Sequence, residues 1–133
     1  MKKILLLLAL LTNLFATYQS DLIILDRVNI QANKIKYVSD QIQYGKKDYW
    51  AYYEETISSG KGDCEDFAIV KMIDLIDAGI NPKNIWLTTG YKPNGEGHAL
   101  VTYWRDGKYV ILECGVNTLY SSYPNGFKKV AHY

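Results

Sequence analysis

Apolar and polar positions recur along this chain at two spacings, one near 3.6 residues and one of two, and the switch between them sets out its expected elements. From Arg27 to Tyr44 the apolar residues Val28, Ile35, Val38 and Ile42 recur at sevens, threes and fours. That spacing predicts an amphipathic helix closed by Gly45. The aromatic run Tyr49-Trp50-Ala51-Tyr52-Tyr53 is expected against the core, and Glu54 to Ile57 as one helical turn ended by Ser58-Ser59-Gly60. A central helix is predicted from about Cys64 to Ala78, with Asp63 as its N-cap, Gly79 as its stop and Pro82 preventing its resumption. Phe67, Ile73, Leu75 and Ile76 leave it little polar surface, so it should be buried on most sides.

Beyond it the period drops to two. Ile85 to Thr89 has the content of a strand, Lys92 to Gly97 reads as a loop, and Asp106-Gly107 lies between two runs of β-formers, Ala99–Arg105 and Lys108–Cys114. Asp-Gly in that setting predicts a two-residue hairpin turn. If Arg105 faces Lys108, then His98, Leu100, Thr102 and Trp104 share a face with Tyr109, Ile111 and Glu113, and His98 and Glu113 are diagonal neighbours. Cys114 falls on the opposite face. A Cys64 that approaches His98 would then be separated from Cys114 by the sheet, which argues against a disulfide between them.

Met1-Lys2-Lys3 followed by the apolar Ile4 to Leu11, with Leu14-Phe15-Ala16 as a cleavage point, reads as a secretory signal peptide over 1–16. The expected mature part, 17–133, suits one domain, exported and not membrane-spanning. The chain carries 15 basic and 14 acidic residues, and loss of Lys2 and Lys3 turns the net charge of +1 to −1, which argues against nucleic acid as a partner. Twelve tyrosines and three tryptophans suit either packing or a protein-binding surface.

The chemistry gathers at Gly60-Lys61-Gly62-Asp63-Cys64-Glu65-Asp66. A thiol at a helix N-terminus gains from the positive end of the dipole, yet Asp63, Glu65 and Asp66 push its pKa the other way. A histidine cation or a bound divalent cation would offset them. Free cysteines are most often small buried residues, and a single histidine beside a glycine loop is most often structural. His98 gains interest because Glu113 returns on its face: the imidazole can take the Cys64 proton while the carboxylate orients the ring. His132, one residue from the terminus, is expected to be solvated.

Trp50, Glu55, Gly60, Gly62-Asp63-Cys64-Glu65-Asp66, Ala68, Lys71, Leu75, Gly79 and Gly97-His98-Ala99 resemble the bacterial transglutaminase-like cysteine peptidases, the LapG-like periplasmic proteases. The resemblance implies a papain-like or transglutaminase-like α+β fold, its central cysteine-bearing helix packed on an antiparallel sheet. It implies Cys64 as nucleophile, His98 as base and Glu113 as orienting acid, with Asp63 and Glu65 as Ca2+ ligands. A calcium-dependent periplasmic endopeptidase that cuts a protein substrate, a large surface adhesin, under a membrane-bound signalling receptor would follow. Trp50 could line the substrate pocket or belong to the core. Two departures stand out: Glu113-Cys114 where the family usually has aspartate and asparagine, and Tyr52-Tyr53 in place of Thr-Pro. Acyl transfer to an amine and a non-catalytic protein-binding module on the same fold remain the alternatives.

Overall fold

The computed structural model describes residues 16–133, and the expected signal peptide lies, but for Ala16, outside them. Helix α1 spans Tyr18–Ala32 and starts at Thr17, whose hydroxyl accepts from the Ser20 N–H while the Ser20 hydroxyl accepts from the Thr17 N–H. The helix expected over 27–44 is therefore misplaced. The chain leaves α1 at Asn33, pairs as β1 (Lys36–Tyr37) in parallel with β2 (Lys61–Gly62), and then forms only a short helix, α2 (Asp40–Tyr44). The Lys36 and Val38 N–H groups donate to the Gly60 and Gly62 carbonyls at 2.9 and 2.8 Å, so long-range backbone pairing overrides the local spacing. Ile42, counted into the expected stripe, is 79% exposed.

Helix α3 (Tyr53–Ser59) is longer than the single turn expected. Of the aromatic run before it, Ala51 is buried, while Trp50 and Tyr52 face solvent. The central helix, α4, runs Cys64–Asp77 from an Asp63 N-cap, as the sequence predicts. Four strands follow: β3 (Ile85–Tyr91), β4 (Gly97–Arg105), β5 (Lys108–Leu112) and β6 (Lys128–His132). They form an antiparallel sheet in the order β5-β4-β3-β6.

The hairpin register runs from Arg105 opposite Lys108 to Val101 opposite Leu112, as expected. Asp106 and Gly107 both take positive φ, 52° and 76°, the geometry that a two-residue turn between right-twisted strands requires. Ala99, Val101 and Tyr103 of β4 join Val110 and Leu112 of β5 in a core with Ala68 and Leu75 of α4 and Leu25 and Val28 of α1. Helices packed on an antiparallel sheet make this an α+β fold. Burying a side chain such as Leu75, fully inaccessible here, stabilises by about 2 kcal/mol, against about 1 kcal/mol for an N-cap. Packing along α4, more than its cap, therefore fixes where Cys64 stands.

His132 is exposed, as expected, and lies in β6 with its Nδ1 2.8 Å from the Thr88 hydroxyl. No helix among the described residues is long and apolar enough to cross a membrane.

Candidate active site

Cys64 is the first residue of α4 and is buried, 8% exposed. Its thiol donates to Glu65 Oε2 at 3.4 Å, and the Ala99 backbone N–H is directed at the sulfur. Burial, followed by the Glu65 charge, pushes the thiol pKa well above its ordinary value, and the Ala99 N–H opposes that rise. The protein by itself thus favours the protonated thiol.

His98 stands at the second position of β4, and Glu113 directly follows the last residue of β5. His98 Nε2 and Glu113 Oε1 are 2.6 Å apart, as the diagonal placement predicts. The Cys114 N–H donates to the same oxygen at 3.1 Å. That bond curls the glutamate back on its own backbone, which accommodates the methylene by which it exceeds aspartate. Phe127 meets the His98 ring edge-on, at 6.1 Å between centroids and 82° between planes.

A cavity of about 390 Å³ is lined by Tyr37, Cys64, Gly97, His98 and Cys114, among others. Cysteine and imidazole therefore open onto one space. The sheet does not separate the two cysteines, contrary to the expectation. Cys64 packs on the Ala99 face of β4, and Cys114 packs against that same core, so the two thiols border one cavity. His98 lies beyond the β4–β5 pairing, which ends at Val101 opposite Leu112, so on that side no strand stands between it and the cavity. Both cysteines are free. Trp50, 45% exposed, borders an adjoining depression with Glu65, Gly97 and His98.

The carboxylates at the helix tip form a larger group than the sequence suggests. Asp40, Asp63 and Asp66 present oxygens all within 4.8 Å of one another. Asp66 had a signal, since it lies three residues after the N-cap; its Oδ2 accepts the Asp63 N–H at 3.0 Å. Asp40 had none, because α2 brings it in from a distant part of the chain. Burial, then a hydrogen bond with Glu65, pushes the Asp63 pKa up to about 9, and burial raises Asp66 as well. Asp40 Oδ1 and Asp63 Oδ1 are buried with no hydrogen-bond partner. Desolvated carboxylates with vacant oxygens are the donor set of a hard divalent cation.

Gly90 of β3 explains how Phe127 reaches His98. A Cβ there would stand 2.6 Å from the Phe127 ring and closer still to the Lys128 carbonyl. Gly90→Ala is expected to cost about 1–3 kcal/mol and to displace Phe127 from the imidazole. Urea unfolding with an unchanged midpoint would contradict this.

Residues 11–121 match the family described as bacterial transglutaminase-like cysteine proteinase. The chain belongs to this family. Its fold is similar to that of LapG from Legionella pneumophila: the calcium-bound structure is 27% identical with a TM-score of 0.73 over 84% of this chain. A second LapG structure gives 27% identity and a TM-score of 0.75 over 85% of this chain, and an EGTA-treated one gives 26% and 0.75. The transglutaminase-like chain described here spans 64% and 65% of the length of the first two LapG chains, a little under two thirds. No curated protein sequence matches it.

Proposed function

We propose that this chain is a calcium-dependent cysteine endopeptidase that cuts a protein through Cys64, His98 and Glu113. The observation that carries the proposal is the 2.6 Å contact between His98 Nε2 and Glu113 Oε1 beside a cavity that also holds Cys64. Glu113 accepts from Nε2, which leaves Nδ1 as the ring nitrogen free to take a proton. The Cys64 sulfur gives its proton to that nitrogen and attacks the peptide carbonyl carbon. His98 then returns the proton to the departing amine, and an acyl group stays on Cys64. Water, deprotonated by His98, releases it. Throughout, Glu113 holds the ring in one tautomer and stabilises its cation.

Asp63 and Glu65 are the residues proposed to hold calcium; the grouping of Asp63 with Asp40 and Asp66 and the partnerless buried oxygens of Asp40 and Asp63 support Asp63, while Glu65 lies outside that group with its Oε2 accepting from the Cys64 thiol. When bound, the ion would offset the Glu65 and Asp63 charges that add to burial in keeping the sulfur protonated. The calcium-bound LapG structure adds support from outside this chain. The basic head and apolar core of 1–16 support a periplasmic site of action. A large surface adhesin as substrate, a membrane-bound signalling receptor as regulator and Trp50 as part of the substrate pocket complete the proposal.

Hydrolysis and transfer to an amine would use the same three residues. Incubation with calcium and a candidate adhesin, with and without a primary amine, separates them by product mass. Two fragments that together weigh one water more than the substrate indicate hydrolysis even when amine is present. Amine-bearing product indicates transfer, and intact substrate in both arms removes the proposal.

A further inference from the structure

Lys71 is a cation sealed inside the core, 1% exposed, two turns along α4 from Cys64. Its Nζ donates to the Glu113 carbonyl at 2.5 Å, the hydrogen bond the structure gives it. An ammonium has three donors, and burying it with a single acceptor is costly. Burial brings its pKa down from 10.5 to about 8. A hydrophobic residue would fill this position in the core more cheaply.

What the bond does follows from where Glu113 stands. The β4–β5 ladder ends with Val101 opposite Leu112, so Glu113 is the first residue beyond it. Its carbonyl is held by Lys71, with a longer contact from the Val116 N–H at 3.5 Å. Its carboxylate meets His98 and the Cys114 N–H. The segment that carries the acid is thus tied to the helix that carries the cysteine through one buried side chain. From α1, Asn29 Nδ2 donates to the Val116 and Asn117 carbonyls, which clamps the following turn.

We propose that Lys71 is a positioning residue: it anchors the Glu113 main chain to α4 and thereby sets the carboxylate within bonding distance of His98. This rests on the pairing of His98 with Glu113 in the proposed function. A purely structural lysine would show itself in stability alone. A positioning lysine changes the His98–Glu113 hydrogen bond even when the fold is intact.

The test is the imidazole Nε2 proton of His98, observed by NMR on the full chain with labelled histidine. Its hydrogen bond to a carboxylate moves this signal downfield, and His132, the other histidine, serves as internal control. Glu113→Gln should move the His98 signal upfield. Lys71→Met, which keeps the length and apolar stem, should move it in the same direction by a comparable amount, with the His132 signal and a cooperative thermal transition retained. Lys71→Arg should keep the signal near its original place, and Lys71→Met added to Glu113→Gln should move it no further. Should Lys71→Met not fold, Lys71→Gln, too short to reach the carbonyl, takes its place with the same outcomes. A His98 signal unmoved in the lysine variant but shifted by Glu113→Gln overturns the role of Lys71 and leaves the His–Glu pair standing. A signal unmoved by Glu113→Gln overturns both.

Discussion

Replacing Cys64 by alanine is expected to lower the rate of substrate cleavage by at least about 10³-fold while shifting the thermal midpoint by no more than about 3 °C. The fall is large because the sulfur forms the covalent bond to the acyl group, and removing a nucleophile leaves only binding and polarisation. The change in stability is small because the substitution removes one buried atom at a helix tip held by the packing of Ala68 and Leu75 further along α4. Cys114→Ser is the companion measurement, since Cys114 lines the same cavity and is the other free thiol. Burial pushes the Cys114 pKa up to about 12, and Cys114 lies past the end of β5 rather than at a helix N-terminus like Cys64. It should therefore retain activity. Mass spectrometry of fragments, with circular dichroism melts alongside, checks both variants. Activity that survives in Cys64→Ala and disappears in Cys114→Ser would make Cys114 the nucleophile. Alkylation by iodoacetamide adds a test free of any substrate: a Cys64 that stays unmodified near neutral pH with calcium present favours a binding module over an enzyme.

The hairpin could be read from sequence because its determinants are local. Asp106-Gly107 fixes the turn, the turn fixes the register, and the register alone sets His98 diagonal to Glu113, which the structure shows at 2.6 Å. The tip of α4 was equally local, with breaker residues meeting helix formers at Asp63. The side of the sheet on which Cys64 packs was not local. Residues 98 to 103 of β4 are buried on both faces, so the period of two that identifies the strand gives no preference for either face. Alternation places Cys114 on the opposite face from His98, but it does not say which face Cys64 meets. Asp40 was hidden for a related reason: its place in the acidic cluster depends on β1 pairing with β2, a contact 25 residues apart in the chain that no short window contains. That same pairing ended the helix that the spacing of Val28, Ile35 and Val38 had suggested. Lys71 is the one cation on a helix whose other charged residues, Glu65, Asp66, Asp74 and Asp77, are all acidic, and its meaning rests on the carbonyl it meets.

Removing divalent cations is expected to suppress activity reversibly and to give the chain an unusual dependence of stability on pH. The Asp63 pKa is raised in the folded chain from 3.8 to about 9. Between those values the native state holds a proton that the unfolded chain has released, so stability falls as pH rises across that window. One proton of difference corresponds to at most about 1.4 kcal/mol per pH unit. Lys71 acts in the opposite sense, since a folded pKa of about 8 against 10.5 makes stability recover as pH climbs above 8. The decline should therefore be clearest between about pH 7 and 8, above the histidine range and below the lysine one. Calcium should flatten it, because a cation beside Asp40, Asp63 and Asp66 lets the carboxylates ionise without mutual repulsion. At a concentration about a hundred times its Kd the ion should add about 2.7 kcal/mol of stability. Melts in EGTA and in a calcium series at several pH values measure both effects. Asp40→Asn provides the structural control: it retains the shape of the cluster, removes one charge, and should weaken the calcium response while reducing the pH decline. A stability that rises with pH from 7 to 8 in EGTA would overturn the raised Asp63 pKa; activity and melting point both indifferent to EGTA would exclude a cation from the tip of α4, and the neutralisation of Cys64's acidic neighbours would need another source.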